Sequence, residues 1–510
     1  MSKNKFYITT SIAYTNAEPH IGYALELIQA DVLARYHRLK GEETWFLTGT
    51  DEHGIKIARA AEANHKDPKE FVDELALKFE ALPAALNVTN DDFIRTTDQT
   101  RHWPAAQKLW EILQANGDLY KKDYEGLYCV GHEAFIKKSE LVDGKCPIHK
   151  TEPEVVKEQN WFLKISKYKD EIKKRITSDE LQILPIARKN EILNLLADTE
   201  DVSVSRSAKS LAWGIPVPGD PDQTMYVWVD ALSNYISVLG WAHDGENFKK
   251  FWPADIHLIG KDIFRFHAIL WPTMLLSAGI ELPKAIYVHG FITANGEKMS
   301  KSLGNVVDPF DVVKKYGADV VRYFLLREIP SDQDGDFSEE KLIARYNGDL
   351  ANGLGNLVRR VATVIEKNFG NQLEFDPIVI KESKEQDIIK LINDDSVYHE
   401  SFRNFQLHKA LEEIWKKISV LDRFINQTEP WRLEKTDSEL LESMHILIFG
   451  IQKIWMLLTP FMPNLAMKIN LIFGFNPFGA VPSLDKKRDI LVMGKFKLPI
   501  EIGEQLFPRL

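Results

Sequence analysis

Hydrophobic and polar positions near the N-terminus follow a strand–helix–strand pattern. Phe6–Thr10 is a short apolar run that predicts a strand, and Glu43–Thr48 predicts a second one. Between them, apolar residues recur at helical spacing from His20 onward, and Gly41 supplies a natural helix end. A strand, a helix and a further strand form a βαβ unit, which is typical of a parallel nucleotide-binding sheet.

The same pattern returns after a long interruption. Asp255–Ile259 and Ile286–Thr293 predict strands, Asp262–Ala278 predicts a helix, and Asp308-Pro309 is a favourable helix start. Short strands and turns fill the stretch 119–224 between the two halves. We therefore predict one parallel sheet whose sequence is divided by an insertion.

Helical patterns dominate the C-terminal part. Asp349–Asn368, Asp387–Ile425 and Leu440–Phe473 predict long helices, and we expect them to form a bundle. The predicted fold class is α/β, with a Rossmann-type catalytic domain split by a connective insertion and followed by an α-helical bundle. The predicted division is 1–118 first half of the sheet, 119–224 insertion, 225–325 second half, 326–350 linking region, 351–475 helical domain and 476–510 tail packed back on the body.

Composition narrows the class of protein. The 510 residues are 44% hydrophobic and 27% charged, as in an ordinary globular chain. The net charge of −10 argues against a general nucleic-acid coat and against DNA as a partner, so any RNA contact must use local basic patches. Two cysteines give no disulfide framework, the N-terminus lacks an apolar signal region, and no apolar run reaches membrane-spanning length. We expect a cytoplasmic protein that does not bind membranes.

Two short motifs carry the chemistry of phosphate binding. Asn295–Asn305 is a glycine-containing loop with Lys298 and Lys301 among small hydroxylated residues, suited to hold polyphosphate by point charges. Near the N-terminus, His20 begins a helix and Gly22 allows close backbone approach, so a phosphate could sit at the positive helix end. Taken alone, the lysine loop would be an ordinary solvated loop, and the pairing of the two motifs favours a nucleotide site.

His20-Ile-Gly-Tyr23 and Lys298-Met-Ser-Lys-Ser302 resemble the paired "HIGH" and "KMSKS" signatures of class I aminoacyl-tRNA synthetases. The resemblance implies catalytic roles for His20, Lys298 and Lys301, and ATP with Mg²⁺ as the co-substrate. It also implies an ATP site that contains His20, Gly22, Tyr23, Glu26, Asp262, Lys298 and Lys301. Tyr23 departs from the signature, in which a second histidine is usual, and this puts the role of the fourth position in question.

Four further segments are similar to those of methionyl-tRNA synthetases: Ser11–Tyr14, Thr50–Gly54, Tyr226–Tyr235 and Gly260–His267. The resemblance covers nearly the whole chain and implies activation of L-methionine and its transfer to the 3′ end of tRNA(Met). A thioether pocket should be apolar and aromatic. By match to the family, the expected methionine-binding residues are Ile12, Tyr14, Asp51, Trp228, Ala231, Leu232, Tyr235, Ile263 and His267. Asp51 matches the carboxylate that holds the α-ammonium group.

The helical part contains segments that match the anticodon-reading elements of this family. Asn356 and Arg360 lie four residues apart, on one face of a predicted helix, and Trp431 offers a stacking plane. Amide, guanidinium and aromatic groups together are suited to unpaired bases. The resemblance therefore implies tRNA as a partner, bound by a chain that we expect to be a monomer.

The insertion holds the chain's two cysteines, each followed by a histidine three residues later. Cys129, His132, Cys146 and His149 have the ligand types and spacing of a small zinc knuckle. His132 departs from the commoner Cys-x-x-Cys first half. The alternative is a hairpin without metal, and the sequence leaves both open.

Three other classes of protein would share some of these motifs. A class I synthetase for leucine, valine or isoleucine would need a larger insertion for editing, and one for cysteine would need a thiolate-binding metal in the active site. A nucleotidylyltransferase would share the histidine turn without needing a helical anticodon domain. A catalytically impaired tRNA-binding paralogue is the remaining alternative, against which the lysine loop and Asp51 argue.

Overall fold

The computed structural model describes residues 4–131, 134–136, 138–147, 150–299, 304–370, 372–475, 496–499 and 506–509. Its centre is a seven-stranded sheet in which every neighbouring pair is parallel. In spatial order the strands are Ala13–Tyr14, Glu43–Asp51, Lys5–Thr10, Ile256–Gly260, Ala285–His289 and Gln182–Leu184, with Asp92–Arg95 also paired to Glu43–Asp51. The predicted α/β class is confirmed.

Burial explains why the central strands are continuous apolar runs. Ile256–Gly260 and Ala285–His289 are buried along their whole length, as expected for parallel strands covered on both faces. The helix Ile21–Leu39 follows the strand Lys5–Thr10 and buries most of its residues against the sheet. It ends where predicted, with Gly41 in a left-handed conformation at φ 80°.

The predicted strand Ile286–Thr293 is wrong in one respect, because the chain leaves the sheet at Gly290. A Cβ built on Gly290 would lie 2.1 Å from the carbonyl oxygen of Gln333, so only glycine fits there. Beyond it, Ile292–Ala294 forms a separate small sheet with Glu297–Lys298 and Gly335–Phe337. This break turns the chain towards the lysine loop.

The region predicted as an insertion contains antiparallel strands and two helices. Leu119–Cys129 pairs with Glu154–Leu163 along ten registered positions, and Ala134–Ile136 and Val202–Ser203 extend that sheet. One short strand from inside 119–224, Gln182–Leu184, pairs in parallel with Ala285–His289 and so belongs to the central sheet. Three residues are too few to show a periodic pattern in the sequence.

The C-terminal part is helical, but the predicted helix Asp387–Ile425 is three helices: Gln386–Asn393, Ser396–Arg403 and Leu407–Thr428. The breaks fall at the acidic pair Asp394-Asp395 and at Asn404-Phe405, where Phe405 has φ 55°. Leu440–Phe473 is likewise two helices, Ser438–Leu458 and Pro463–Phe473, divided near Pro460 and Pro463. Predicted helix Asp349–Asn368 is a π-helical segment Tyr346–Gly355 followed by the helix Asn356–Phe369.

Within the described residues, one helix has the length and apolarity to span a membrane, Ser438–Leu458. Of its most apolar window, 83% is buried inside the protein, where Leu407–Thr428 and the neighbouring helices pack on it. It is therefore the core helix of the bundle.

A buried ion pair joins the bundle to the nucleotide-binding part. Arg322 and Asp31 are both fully buried, and Nη2 of Arg322 lies 2.7 Å from Oδ2 of Asp31 on the helix that begins after His20. The same guanidinium donates to the carbonyl oxygens of Pro460 and Phe461 at 2.9 and 2.8 Å. Arg35 also pairs with the same Asp31 oxygen at 2.7 Å, so the carboxylate links two guanidinium groups at this joint.

Other elements complete the structure. The remaining helices are Ile55–Ala63, Pro68–Ala85, Trp103–Ala115, Lys169–Thr177, Ile186–Asp198, Val227–Leu232, Asn234–Ser237, Glu246–Phe251, Phe266–Leu270 (π) continued by Trp271–Ala278, Pro309–Tyr316, Ala318–Glu328, Glu339–Arg345 and Pro377–Glu382, with short 3₁₀ turns at Lys138–Glu140, Ile165–Lys167, Trp241–His243 and Pro430–Arg432. The remaining strands are Ser205–Ser207, Pro216–Val217, Asp220–Met225, Gln372–Phe375 and Phe496–Pro499.

Candidate active site

The sheet has a switch point between Lys5–Thr10 and Ile256–Gly260. From these two neighbours the strand order runs outward in opposite directions, to Glu43–Asp51 on one side and Ala285–His289 on the other. Ligands of open parallel sheets bind in the crevice at the carboxyl ends of such strands.

His20 caps the helix that follows the first strand. Its Nδ1 accepts a hydrogen bond from the Gly22 backbone N–H at 3.1 Å, so in the neutral ring the proton is on Nε2, available to a ligand. Although one side of the ring is exposed, surrounding protein atoms desolvate it and lower the pKa of His20, against the opposing effect of Asp262 and Glu26. A Cβ on Gly22 would lie 2.9 Å from the His20 ring, which explains the glycine.

The lysine loop and the histidine turn meet. A Cβ on Gly22 would lie 3.9 Å from Cε of Met299, and the Ile21 N–H donates to the Val307 carbonyl at 3.0 Å. Lys298 is exposed on the short strand Glu297–Lys298, where it pairs with Thr293 across a tight turn. Lys301 lies outside the described residues. The structure thus brings together the two motifs that are far apart in the sequence.

Tyr23 has a different position from the one expected of an ATP ligand. It is buried, its hydroxyl lies 2.9 Å from Oγ1 of Thr48, and its ring meets Phe79 edge-on. Burial raises the pKa of Tyr23, so the side chain stays neutral. The structure therefore places Tyr23 between helix and sheet, and does not support the prediction that its side chain binds ATP.

Glu26 and Asp262 flank the crevice below His20. Glu26 is buried, and its Oε1 accepts hydrogen bonds from the backbone and hydroxyl of Ser11 at 2.7 and 2.6 Å. Its Oε2 lies 2.8 Å from Nε2 of His289. Asp262 is exposed, and a Cβ on Gly260 would lie 2.9 Å from its Oδ1, so glycine makes room for the carboxylate.

His289 is a site residue that the sequence analysis missed. Its Nδ1 donates to the Gly290 carbonyl at 2.8 Å, and its other nitrogen faces Glu26. Burial alone would lower the pKa of His289, but the hydrogen bond and the charge of Glu26 outweigh it and raise the pKa. The signal available in the sequence was a histidine followed by glycine at the end of an apolar strand.

The aromatic part of the predicted methionine pocket is uncharged. Tyr235 and His267 are buried, and the tyrosine hydroxyl lies 2.8 Å from Nε2 of His267. Trp228 stacks on Phe266 with ring centroids 4.1 Å apart. Desolvation lowers the pKa of His267 to about 4, so the ring is neutral near pH 7.

The other predicted pocket residues belong to the same region. Ile12, Tyr14, Trp228 and Ile263 are partly buried and pack against one hydrophobic cluster that includes Leu232 and Tyr235. Ala231 and Leu232 are 3% and 1% exposed. Asp51 is buried at the end of the strand Glu43–Asp51, in register with Tyr14 on the neighbouring strand. A carboxylate thus lies at the strand end beside an apolar cleft.

A second feature missed by the sequence analysis is a carboxylate between two histidines. Asp230 is buried, with Oδ2 2.6 Å from Nδ1 of His53 and Oδ1 2.7 Å from Nε2 of His102. Because His53 and Asp230 are 177 positions apart, sequence spacing gave no sign of the contact.

The predicted anticodon residues form a surface cluster. The Arg360 guanidinium lies 4.8 Å above the Trp431 ring, and its Nη2 donates to Oδ1 of Asn426 at 2.7 Å. Asn356 is exposed one helical turn before Arg360, and Trp431 is 36% exposed. Exposed stacking and hydrogen-bonding groups of this kind fit unpaired bases.

The predicted metal ligands are only partly described. Cys129 and Cys146 are buried thiols in the insertion, whereas His132 and His149 lie outside the described residues. Among the residues that the structure describes, no group of three or more His, Cys, Asp or Glu is close enough to hold a metal ion. Two buried thiols suit zinc chemically, and the described residues supply half of the predicted set.

Comparison with known proteins agrees with this geometry. The family model "tRNA synthetases class I (M)" matches residues 6–151 and 137–362. The methionine–tRNA ligase of Thermotoga maritima is 44% identical over 476 residues, 91% of this chain and 74% of its own length. That of Rhizobium meliloti is 42% identical over 99% of this chain and 98% of its own length. The chain belongs to the methionyl-tRNA synthetases.

Solved structures of the methionyl-tRNA synthetase family show the same fold. The methionyl-tRNA synthetase of Mycobacterium tuberculosis, solved in complex with methionyl-adenylate, superposes with a TM-score of 0.90 at 37% identity and covers 99% of this chain and 100% of its own. Among the class I synthetases weighed from the sequence, the methionyl family is therefore the correct one, and membership of the leucine, valine, isoleucine and cysteine enzymes is excluded.

Proposed function

We propose that the chain is a methionine–tRNA ligase, which activates L-methionine with ATP and transfers it to the 3′ end of tRNA(Met) for initiation and elongation of translation. One observation carries the proposal. The histidine turn and the lysine hairpin meet, and Asp51 ends a strand in register with Tyr14, which packs on the aromatic cluster that includes Tyr235. We expect it to act as a monomer in the cytoplasm, where translation takes place.

In the first step a carboxylate oxygen of methionine attacks the α-phosphorus of ATP. The bond from that phosphorus to the bridging oxygen breaks, and pyrophosphate leaves with the negative charge. We assign stabilisation of this charge to His20, through Nε2–H, and to the ammonium groups of Lys298 and Lys301. Mg²⁺ with ATP would neutralise part of the same charge. Glu26 and Asp262 are assigned to the adenosine side.

We assign recognition of methionine to the pocket around Tyr235 and His267. Because the His267 ring is neutral near pH 7 and hydrogen-bonded on both nitrogens, the pocket offers no unpaired charge to an apolar thioether. Asp51 would hold the α-ammonium group, and Tyr14 would close over the ligand. Trp228 and Ile263 would supply the apolar walls.

We assign the anticodon of tRNA(Met) to the cluster of Asn356, Arg360 and Trp431 on the helical part. The support is the exposure of Asn356 and Trp431 and the stacking of the half-buried Arg360 on Trp431. The buried Arg322–Asp31 pair would connect the bundle to the helix that follows His20.

We further propose that the insertion binds zinc through Cys129, His132, Cys146 and His149. Two buried thiols support this assignment, Cys129 at the end of a strand of the antiparallel sheet and Cys146 in the segment that follows Ala134–Ile136. The metal would be structural, because four protein ligands leave no open coordination position for a substrate.

Amino-acid-dependent exchange of pyrophosphate into ATP tests the proposed activity. Purified protein should exchange with methionine, and exchange with leucine, valine, isoleucine or cysteine should be lower. Exchange that is faster with any of these four than with methionine would refute the assignment, and so would a protein that exchanges with none.

A further inference from the structure

Asp230 lies at the meeting point of three separate segments. It is on the short helix Val227–Leu232, while His53 follows the strand Glu43–Asp51 and His102 precedes the helix Trp103–Ala115. All three residues are buried, with exposures of 1% for Asp230, 2% for His53 and 0% for His102. Each carboxylate oxygen of Asp230 has its own imidazole partner, at 2.6 and 2.7 Å.

The chemistry of the groups fixes which atom donates in the contacts of Asp230 with His53 and His102. An ionised carboxylate only accepts, so His53 donates from Nδ1 and His102 donates from Nε2. Burial alone would raise the pKa of Asp230, but the two imidazoles outweigh burial and lower it. The Ser237 hydroxyl lies 3.1 Å from Nδ1 of His102 and 3.2 Å from the Asn234 carbonyl oxygen. Because a neutral ring that donates from Nε2 accepts at Nδ1, the Ser237 hydroxyl is the donor to His102.

Tryptophan rings pack against the cluster of His53, Asp230 and His102, which is buried from solvent. The His53 ring meets Trp213 and Trp103 edge-on, with centroids 5.3 and 6.0 Å away. Trp213 also donates to the Glu52 carbonyl at 2.6 Å, which pins the segment that carries His53. In such surroundings hydrogen bonds to a charge are strong, and their loss is costly.

The cluster connects the two sides of the amino-acid pocket. His53 is two residues from Asp51, the residue proposed to hold the α-ammonium group. Asp230 is two residues from Trp228 and adjacent to Ala231, which belong to the proposed thioether side. One buried acid therefore ties the segment that carries Asp51 to the helix that carries Trp228 and Ala231.

We propose that His53, Asp230 and His102 are positioning residues that fix the length of the amino-acid pocket, and so determine how well methionine is held and distinguished from other unbranched side chains. Because all three are buried, we assign them a positioning role without direct contact with substrate. The inference rests on the proposed function, because it concerns the same amino-acid site, and it adds a set of specificity-determining residues to it.

The test uses the different nitrogen atoms of the two histidines. The amide nitrogen of asparagine lies near the position of Nδ1, and that of glutamine near the position of Nε2. His53→Asn and His102→Gln should therefore keep the donor to Asp230, whereas His53→Gln and His102→Asn should lose it. Pyrophosphate exchange would give KM for methionine, KM for ATP, and the ratio of kcat/KM for methionine to that for norleucine.

We expect the two donor-losing variants to raise KM for methionine about tenfold and to lower the methionine-to-norleucine ratio, with KM for ATP changed by less than about twofold. The two donor-keeping variants should stay within about threefold of the unmodified protein. His445→Gln is the matched control, since His445 is also a buried, doubly hydrogen-bonded histidine but lies in the bundle.

The inference is supported if asparagine is the better replacement at position 53 and glutamine the better one at position 102. A role in folding alone gives no reason for this opposite preference. Equal effects of both amides at both positions, or a parallel rise in KM for ATP, would overturn it. Should one variant not fold, the pair at the other histidine makes the same comparison. An unmodified protein that does not exchange with methionine would overturn the proposed function and the inference together.

Discussion

The hydroxyl of Tyr235 donates a hydrogen bond to Nε2 of His267 over 2.8 Å. Nδ1 of the same histidine donates to the carbonyl oxygen of Ile263 at 3.1 Å, so Nε2 carries no proton and accepts the hydrogen bond from Tyr235. Both ring nitrogens are thus satisfied with the imidazole uncharged. An apolar amino-acid side chain can lie against such a pocket without facing an unpaired charge.

This pairing predicts a specific dependence of stability on pH. The pKa of His267 is about 4 in the folded chain against 6.5 for an unperturbed histidine. Between these values the unfolded chain takes up a proton that the folded chain does not, so stability falls as the pH falls from 6.5 to 4. The contribution of this one group is at most about 3 kcal/mol, fully present above pH 6.5.

Replacing His267 by Gln removes the titrating group. Denaturant unfolding at pH 7 and pH 4.5 should show a smaller loss of stability in the variant than in the unmodified protein. Equal losses in the two proteins would mean that His267 carries no such shift.

Gly22→Ala tests the contact between the helix start and His20. The added methyl group would lie 2.9 Å from the imidazole and must displace it. We expect kcat for pyrophosphate exchange to fall by about a hundredfold, since misplacing a catalytic group by about 1 Å has that effect. Gly348→Ala, where a Cβ meets nothing within 4 Å, is the control and should retain its rate. Similar rates for the two variants would contradict the role of His20.

Lys298→Ala and Lys301→Ala test the charge on the loop. A group that acts only on the leaving pyrophosphate should lower kcat and kcat/KM together, by about 2–4 kcal/mol, and leave methionine affinity nearly unchanged. Lys314→Ala changes an exposed lysine of the following helix and should be neutral. If either variant exchanges pyrophosphate at the rate of the unmodified protein, the substituted lysine does not stabilise the transition state.

Trp431→Ala and Arg360→Ala should separate the two half-reactions. Aminoacylation of tRNA should fall about tenfold or more, because each base-stacking contact contributes about 1–3 kcal/mol. Exchange of pyrophosphate, which needs no tRNA, should not change. Lys390→Ala, at an exposed lysine elsewhere in the bundle, is the control. A parallel fall in both assays would show that the cluster supports the fold instead.

The zinc proposal predicts about one zinc per chain in protein purified without chelator. Cys146→Ser should release the metal and loosen the insertion, because metal binding and local folding are one equilibrium. The effect on exchange should be indirect and smaller than that of Lys301→Ala. Metal analysis that finds no zinc would reject the site and leave the rest of the assignment standing.

Local patterns in the sequence predicted the strands and helices that depend on residues close together in the chain. The strand Lys5–Thr10, the helix Ile21–Leu39 and the strand Ile256–Gly260 each carry a full period of apolar residues, and the structure has them almost where expected. The predicted long helix Asp387–Ile425 failed because its apolar spacing continues across breaks at which the backbone itself turns.

Long-range polar contacts could not be predicted in this way. His289 and Asp230 are single polar residues inside apolar segments, and their partners Glu26 and His53 are 263 and 177 positions away. Nothing in a periodic pattern marks such a residue as paired. Tyr23 is the converse case, because its place in a motif suggested a ligand contact and its burial against Thr48 gives it a role in packing.

Charging of tRNA tests the central claim most directly. The protein would be given ATP, Mg²⁺, methionine and a tRNA(Met) transcript, in parallel with a transcript that differs only in its anticodon. We predict methionylation of the first at a kcat/KM at least about a hundredfold above the second, as expected when several base contacts are lost. Failure to methionylate tRNA(Met), or equal charging of both transcripts, would contradict the account.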